Sequence, residues 1–385
     1  MVFTERIRYG MVGGGPGAFI GAVHRMAARL EGRYELVAGA FSSVPDRSRT
    51  LGEELGLAPE RVYGSYHEMA RLEAARADGI EAVVIVTPNH LHYPVAKAFL
   101  EAGVHVICDK PLTTSVADAV ALRELVKATG RLFFVTYTYG TYPMVAQARE
   151  MVRSGQLGAV RVVQVEYAQG WLSSALEASG SRQASWRTDP ALAGEGGCLG
   201  DIGTHAYHLM EFVSGLRTQS LAAELTVFVP GRRLDDNVQV MLRFAGGARG
   251  ALWASQVAAG EDNALRIRVY GDRASVCWDQ EHPEELRFAP LGGPPQTLRR
   301  GGSGVGRWAT EVTRLPIGHP EGTLEGFGLL YSEVADAILA VREHRPVPAI
   351  RVATIDDGVA GMRFIDACVR SARQNTAWVT LDFVN

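Results

Sequence analysis

The chain has 385 residues, 47% of them hydrophobic, and a formal net charge of −3, which is enough apolar material for two cores and close to electrical balance. No basic run exceeds the pair Arg299-Arg300, which argues against nucleic acid or an anionic membrane as a partner, and no stretch approaches the roughly 18 apolar residues that span a bilayer. Cys108, Cys198, Cys277 and Cys368 show no C-x-x-C spacing, so neither a disulfide framework nor a zinc site is expected.

A reducing cytoplasm fits this cysteine usage, and residues 1–8 enter a strand without the apolar core of a signal peptide. Residues 7–12 read as a buried strand that empties into Gly13-Gly-Gly-Pro-Gly-Ala-Phe-Ile-Gly21 and then a helix. Strand, glycine-rich turn and helix in that order suit a dinucleotide pyrophosphate, because the turn lets backbone approach and the helix start favours anionic oxygen. Gly13 and Gly15 take the first two positions of that motif; the third is either Ala18 or, in a lengthened turn, Gly21. A second strand over 34–41 ends in Ser42-Ser43-Val-Pro-Asp-Arg47, without the Asp or Glu that usually holds an NAD ribose. Ser42 and Arg47 suit a 2′-phosphate instead, which leans toward NADP; the competing reading makes Arg47 a solvated residue on the next helix.

Residues 82–86 form a continuous apolar run closed by Thr87-Pro-Asn89-His-Leu-His92. Such a run predicts a central parallel strand whose carboxyl end is a ligand edge. After a further helix, the strand 104–108 leads to Asp109-Lys110-Pro111. Pro111 biases Lys110 toward an extended backbone at the same edge as Asn89. Ser115 and Asp118 cap the next helix, and the strand from Leu132 opens at Tyr139 and Gly140. The pattern so far is an N-terminal doubly wound parallel sheet, with the domain drawn at 1–138.

From 139 to 385 the periodicity changes. Alternation in Val163, Val165 and Tyr167, in Val238, Val240 and Leu242, and in Leu265, Ile267 and Val269 predicts an α+β domain with an open, largely antiparallel sheet. Ser185-Trp186-Arg187 reads as a polar loop whose Trp-Arg pair either meets a cofactor or anchors the loop. Residues 292–320, rich in Gly and Pro, read as a mobile loop. In Glu195-Gly-Gly-Cys-Leu-Gly-Asp201-Ile-Gly-Thr-His205, the carboxylate and the imidazole stand four apart where a helix begins, so both project from one face. That is a general-base pair, with glycines that admit a ligand closely. Tyr139, Trp171, Arg187, His208 and His319 read as substrate contacts or as packed residues.

The succession of glycine-rich turn, Thr87-Pro-Asn-x-x-His92, Asp109-Lys-Pro111, Ser185-Trp-Arg187 and Gly196-Gly-x-x-x-Asp201-x-Gly-x-His205 resembles the Gfo/Idh/MocA family of sugar and inositol dehydrogenases over nearly the whole chain. The resemblance implies a Rossmann domain that binds NAD or NADP, followed by a domain whose open sheet joins homodimers or homotetramers, and a sugar, glycoside or inositol substrate. It assigns Lys110, Asp201 and His205 to catalysis by hydride transfer, and no metal. Gly13, Gly15, Gly21, Ser42, Ser43, Arg47, Thr87, Pro88, Asn89, His92, Asp109, Lys110, Trp186 and Arg187 fall to the cofactor. Lys110, Tyr139, Trp171, Arg187, Asp201, His205 and His319 fall to the substrate. The motif begins with Asp109 where the family has Glu. Two rival readings remain: a redox-neutral hydrolase or lyase that uses bound nicotinamide transiently, and a non-catalytic dinucleotide sensor.

Overall fold

The computed structural model describes residues 6–381. The chain packs as two units, one running up to Thr138 and including Thr323–Val359, the other comprising Tyr139–Gly322 and the chain from Ala360 on. The chain thus returns to its first unit after leaving it, a crossing that hydropathy alone does not mark.

In the first unit, β1 (Ile7–Gly13), α1 (Phe19–Leu30), β2 (Tyr34–Ala40), α2 (Pro45–Glu54), α3 (Tyr66–Ala74), β3 (Ala82–Val86), α4 (His92–Glu101), β4 (His105–Cys108), α5 (Val116–Thr129) and β5 (Phe133–Val135) follow in order. Among the described residues the strands form a five-stranded parallel sheet in the order β2-β1-β3-β4-β5. All five residues of β3 are buried, as an unbroken Ala-Val-Val-Ile-Val run at the centre of a sheet covered on both faces requires. The strand order reverses at β1 and β3, which places a crevice beyond their carboxyl ends. Ser115 Oγ accepts the Asp118 N–H at 3.1 Å, and Gly130 with φ 64° closes α5. The returning segment supplies α11 (Thr323–Arg342), which packs on α1 and β1 through Phe327, Leu330, Tyr331 and Val334.

The second unit holds α6 (Pro143–Arg153), β6 (Val160–Ala168), α7 (Arg182–Arg187), α8 (Pro190–Ala193), a π-helical turn (Leu199–Gly203), α9 (Thr204–Ser214), β7 (Thr218–Thr226), β8 (Asn237–Phe244), β9 (Arg249–Ser255), β10 (Ala264–Gly271), β11 (Ala274–Asp279), β12 (Glu285–Pro290), β13 (Gln296–Arg299) and α10 (Arg307–Val312). Helix α12 (Ile355–Arg373) and β14 (Val379–Thr380) end the described chain. Among the described residues its nine strands run in the order β13-β12-β11-β10-β6-β9-β8-β7-β14 and pair antiparallel except for β6 with β9. Along β8, Val238, Val240, Leu242 and Phe244 are buried, while Gln239, Met241 and Arg243 are exposed. One face of the sheet is therefore core and the other open, as the alternation predicts.

The segment 292–320 differs from the mobile loop expected. It contains β13 and α10, and Arg300, 2% exposed, gathers it. That guanidinium donates to Leu315 O and Glu284 Oε1, each at 2.6 Å, and to His319 O, and pairs with Glu321 at 3.0 Å. Gly306 N–H donates to Gln147 Oε1 on α6 at 2.5 Å. A buried arginine with several acceptors orders a stretch whose composition alone reads as loose.

Candidate active site

The turn after β1 is built around close backbone approach. Gly13 and Gly14 have φ of 87° and 69°, a region that L side chains avoid. A Cβ on Gly15 would lie 2.6 Å from Phe41 O, and one on Gly21 would lie 2.5 Å from Gly14 Cα. The third glycine position is therefore filled by Gly21, which lets α1 sit directly on the turn. Ala18 caps α1 without a side-chain bond, and the first turn carries no acidic residue. The helix N-terminus thus presents N–H groups and positive potential to an anion. Beside it, Thr87 Oγ1 is buried without a hydrogen-bond partner. A cradle that a single methyl would fill, an uncapped helix start and an orphaned hydroxyl together fit a dinucleotide.

At the end of β2, Ser42 Oγ accepts the Val44 N–H at 3.1 Å, while Ser43 and Arg47 stand exposed. At the edge of β3, Pro88 precedes a turn that buries Asn89. His92 is completely buried. Its Nδ1 lies 2.8 Å from Pro111 O and its Nε2 3.0 Å from Thr87 O. Both ring nitrogens thus face main-chain carbonyls, one of which a neutral ring can donate to, and His92 ties the ends of β3 and β4 together instead of facing the edge as a cofactor contact. Burial, against the pull of both carbonyls, lowers its pKa.

Asp109 Oδ1 accepts from Thr136 Oγ1 at 2.6 Å and lies 3.2 Å from His24 Nε2. Burial would raise this carboxyl, but the His24 charge and the two hydrogen bonds outweigh it and hold the pKa at about 2. Lys110 follows, half-buried, and its bond to Pro111 is cis.

In the second unit Asp201 lies in the π-helical turn, and His205 lies in the first turn of α9. The continuous α-helix expected beneath both is interrupted, a distortion that recurs at functional sites. The turn is anchored by Asp235, whose two oxygens accept the Gly197 and Leu199 N–H groups, each at 2.7 Å. A Cβ on Gly197 would meet Asp235 O at 2.3 Å, so this glycine serves backbone packing instead of ligand approach.

Asp201 Oδ2 accepts from Arg187 Nε at 3.1 Å and from Gln256 Nε2 at 2.9 Å. Arg187 comes from α7, a short helix where the sequence reads as a loop; its guanidinium also covers the Trp186 ring at 4.2 Å and faces Trp171 at 5.9 Å. His205, 9% exposed, meets the rings of Tyr139 and Tyr167 edge-on at 5.0 and 6.3 Å. The two phenol oxygens are 2.5 Å apart, and Tyr167 donates to Asn263 Oδ1 at 2.8 Å. Gln169 Nε2 joins the same Asn263 oxygen and its own oxygen accepts from Trp171 Nε1. Asp201, His205, Tyr139, Arg187, Trp186 and Trp171 therefore belong to one polar and aromatic group. His208 stacks on Phe212 at 5.7 Å. His319 stands exposed in the segment held by Arg300, its side chain making no hydrogen bond among the described residues.

Residues 7–137 match the oxidoreductase family with an NAD-binding Rossmann fold, and residues 145–277 match the Gfo/Idh/MocA C-terminal domain. An uncharacterized oxidoreductase of Bacillus subtilis, YfiI, is 38% identical over 98% of both chains. The chain belongs to the Gfo/Idh/MocA family. Among solved structures, an oxidoreductase from Sinorhizobium meliloti is 51% identical with a TM-score of 0.88, over 97% of this chain and 99% of that one. An inositol dehydrogenase homolog from Azotobacter vinelandii, complexed with NADH and myo-inositol, is 39% identical with a TM-score of 0.93, over 98% of each chain. No helix among the described residues is long and apolar enough to cross a membrane.

Within this Gfo/Idh/MocA chain, His24, Thr136, Gln256, Tyr167 and Asn263 complete the two groups and escape the sequence reading. Tyr167 carries a signal in the alternation of β6, but as a core residue. The others are lone polar residues whose partners lie far away in sequence, and only the fold brings them together.

Proposed function

We propose that the protein oxidises a secondary hydroxyl of an inositol, sugar or glycoside, or reduces the matching ketone, using NAD or NADP. The observation that carries the reading is the likeness, over 98% of each chain, to an inositol dehydrogenase homolog complexed with NADH and myo-inositol, in a chain that has Lys110, Asp201 and His205 in the family's motif positions. Gly13, Gly15, Gly21 and the start of α1 would hold the pyrophosphate; Thr87, Pro88, Asn89 and Asp109 would line the edge beyond β3 and β4. A bound nicotinamide supplies the two-electron acceptor for the carbon-bound hydrogen.

The chain's own part is proton and charge management. His205 takes the hydroxyl proton, a task suited to an imidazole near neutral pH, and the Tyr139 and Tyr167 ring edges fix its plane. Asp201, directed by Arg187 and Gln256, favours the imidazolium that results. Lys110 places positive charge where the alcohol oxygen becomes negative. Trp171 and Arg187 add the aromatic face and the donors that a polyol needs. The exposed face of the nine-stranded sheet, with Met241 and Tyr270 at its surface, supports a homodimer or homotetramer.

The test is reduced-cofactor absorbance with NAD and NADP in parallel against inositols, hexoses, glycosides and anhydrosugars. Reduction by one substrate group is the expected result. Tight dinucleotide binding with no net reduction across the panel would replace this reading with a redox-neutral one.

A further inference from the structure

Behind the Asp109-Lys110 pair lies a buried hydrogen-bonded chain that the proposed reaction does not use. His24 is wholly buried on α1, three residues beyond Gly21. Its Nδ1 lies 2.7 Å from the Tyr331 hydroxyl on α11, and its Nε2 lies 3.2 Å from Asp109 Oδ1. Burial keeps the Tyr331 phenol well above its usual range, so the hydroxyl remains a donor. A carboxylate can only accept, so the His24 nitrogen that faces Asp109, Nε2, carries a proton. Phe327 packs edge-on against the imidazole at 5.0 Å, and Tyr34 donates to the Tyr331 carbonyl at 2.9 Å. The Tyr34 ring also meets the Tyr331 ring edge-on at 5.2 Å.

The consequence falls on Asp109. Both of its donors, His24 and Thr136, converge on Oδ1, and Oδ2 accepts no hydrogen bond among the described residues. The side chain keeps 15% exposure at the carboxyl end of β4. Asp109 stands where the family's motif has Glu, and its carboxylate is held by two residues outside that motif.

We propose that His24, held by Tyr331, is a positioning residue that locks Asp109 as an ionised acceptor, with Oδ2 left for the hydroxyls of a bound dinucleotide beside Lys110. This rests on the reading that the edge beyond β4 takes a nicotinamide dinucleotide. It does not require that any polyol be turned over.

The experiment is an NADH fluorescence titration of wild type, His24→Leu, His24→Gln and Tyr331→Phe, each with a thermal melt. His24→Leu removes a hydrogen bond to a charged group and should raise the NADH Kd about tenfold. His24→Gln, whose amide still donates toward Oδ1, should bind close to wild type, and Tyr331→Phe should fall between. An unchanged Kd in His24→Leu overturns the proposal. So does a His24→Gln variant as weak as His24→Leu with the same loss of melting temperature, since that would reduce His24 to packing. If His24→Leu does not fold, Tyr331→Phe decides, and a wild-type Kd there overturns the proposal. A protein that binds NADH yet oxidises no polyol refutes the activity and leaves this test standing; failure of wild type to bind NADH overturns both.

Discussion

Arg187 Nε donates to Asp201 Oδ2 at 3.1 Å, and Gln256 Nε2 shares that oxygen at 2.9 Å. Asp201 stands four residues before His205 in sequence, whereas the fold supplies it with a guanidinium and an amide from elsewhere. Two donors on one oxygen fix where the carboxylate points. Arg187→Ala removes the charged one of these two donors, and kcat/KM for the polyol should fall by about ten- to a hundredfold. Arg187→Lys keeps the charge without the planar fork and should recover only part of the loss. Steady-state kinetics on both variants measure this, and wild-type turnover by Arg187→Ala would detach Arg187 from the reaction.

The proposed reaction gives His205 and Lys110 different tasks, proton transfer and charge stabilisation, so their variants should separate. His205→Ala removes the proton acceptor, and kcat should drop by about 10²–10⁴-fold. Lys110→Ala removes charge stabilisation and should cost about 10²–10³-fold. NADH titration of His205→Ala should show dinucleotide affinity retained. Lost affinity in His205→Ala would make His205 a cofactor residue instead.

Much of this was legible in the chain because it is local. The run of apolar residues in β3 encodes a doubly covered strand, and Gly13, Gly15 and Gly21 mark a turn that only glycine permits. Lys110, Asp201 and His205 stand in motifs. What periodicity does not carry is the partner of a lone polar residue. His24 meets Asp109 across 85 positions and Tyr331 across 307, and no local pattern encodes those distances. The π-helical turn at Asp201 was hidden for another reason: its glycines read as ligand access, while Gly197 in fact allows the close packing that Asp235 anchors. Composition misled at 292–320, where Gly and Pro suggest mobility and one buried arginine supplies order.

Cofactor choice should turn on Arg47. The residue is exposed on α2 with no partner among the described residues, whereas Ser42 Oγ already accepts the Val44 N–H. A 2′-phosphate would therefore draw on Arg47 more than on Ser42. Arg47→Glu reverses the charge and should lower kcat/KM with NADP by about tenfold or more, with NAD little changed. The measurement is the ratio of kcat/KM for the two cofactors. An unmoved ratio would assign Arg47 to the solvated surface.

Acid stability should reveal His105. Its side chain is buried with Nδ1 accepting the Leu132 N–H at 2.9 Å, and burial lowers its pKa from 6.5 to about 4. Because the unfolded chain takes up the proton first, the native state keeps the full contribution above pH 6.5 and loses it as pH falls toward 4. The whole effect is about 3 kcal/mol. Asp235 acts in the opposite sense: burial raises its carboxyl to about 6 despite the Leu199 and Gly197 N–H groups, so the folded chain binds that proton first, and falling pH between 6 and 3.8 favours the native state. Asp109, held at about 2, contributes stability that is present above 3.8 and lost only below it. The wild-type curve therefore understates His105, and a difference is needed. In His105→Asn the amide oxygen can still accept the Leu132 N–H but does not titrate. Denaturant melts of both proteins at steps from pH 7 to pH 4 should converge as pH falls, wild type losing about 2–3 kcal/mol relative to the variant. Parallel curves would mean that His105 takes up its proton equally in the folded and unfolded chains over that range.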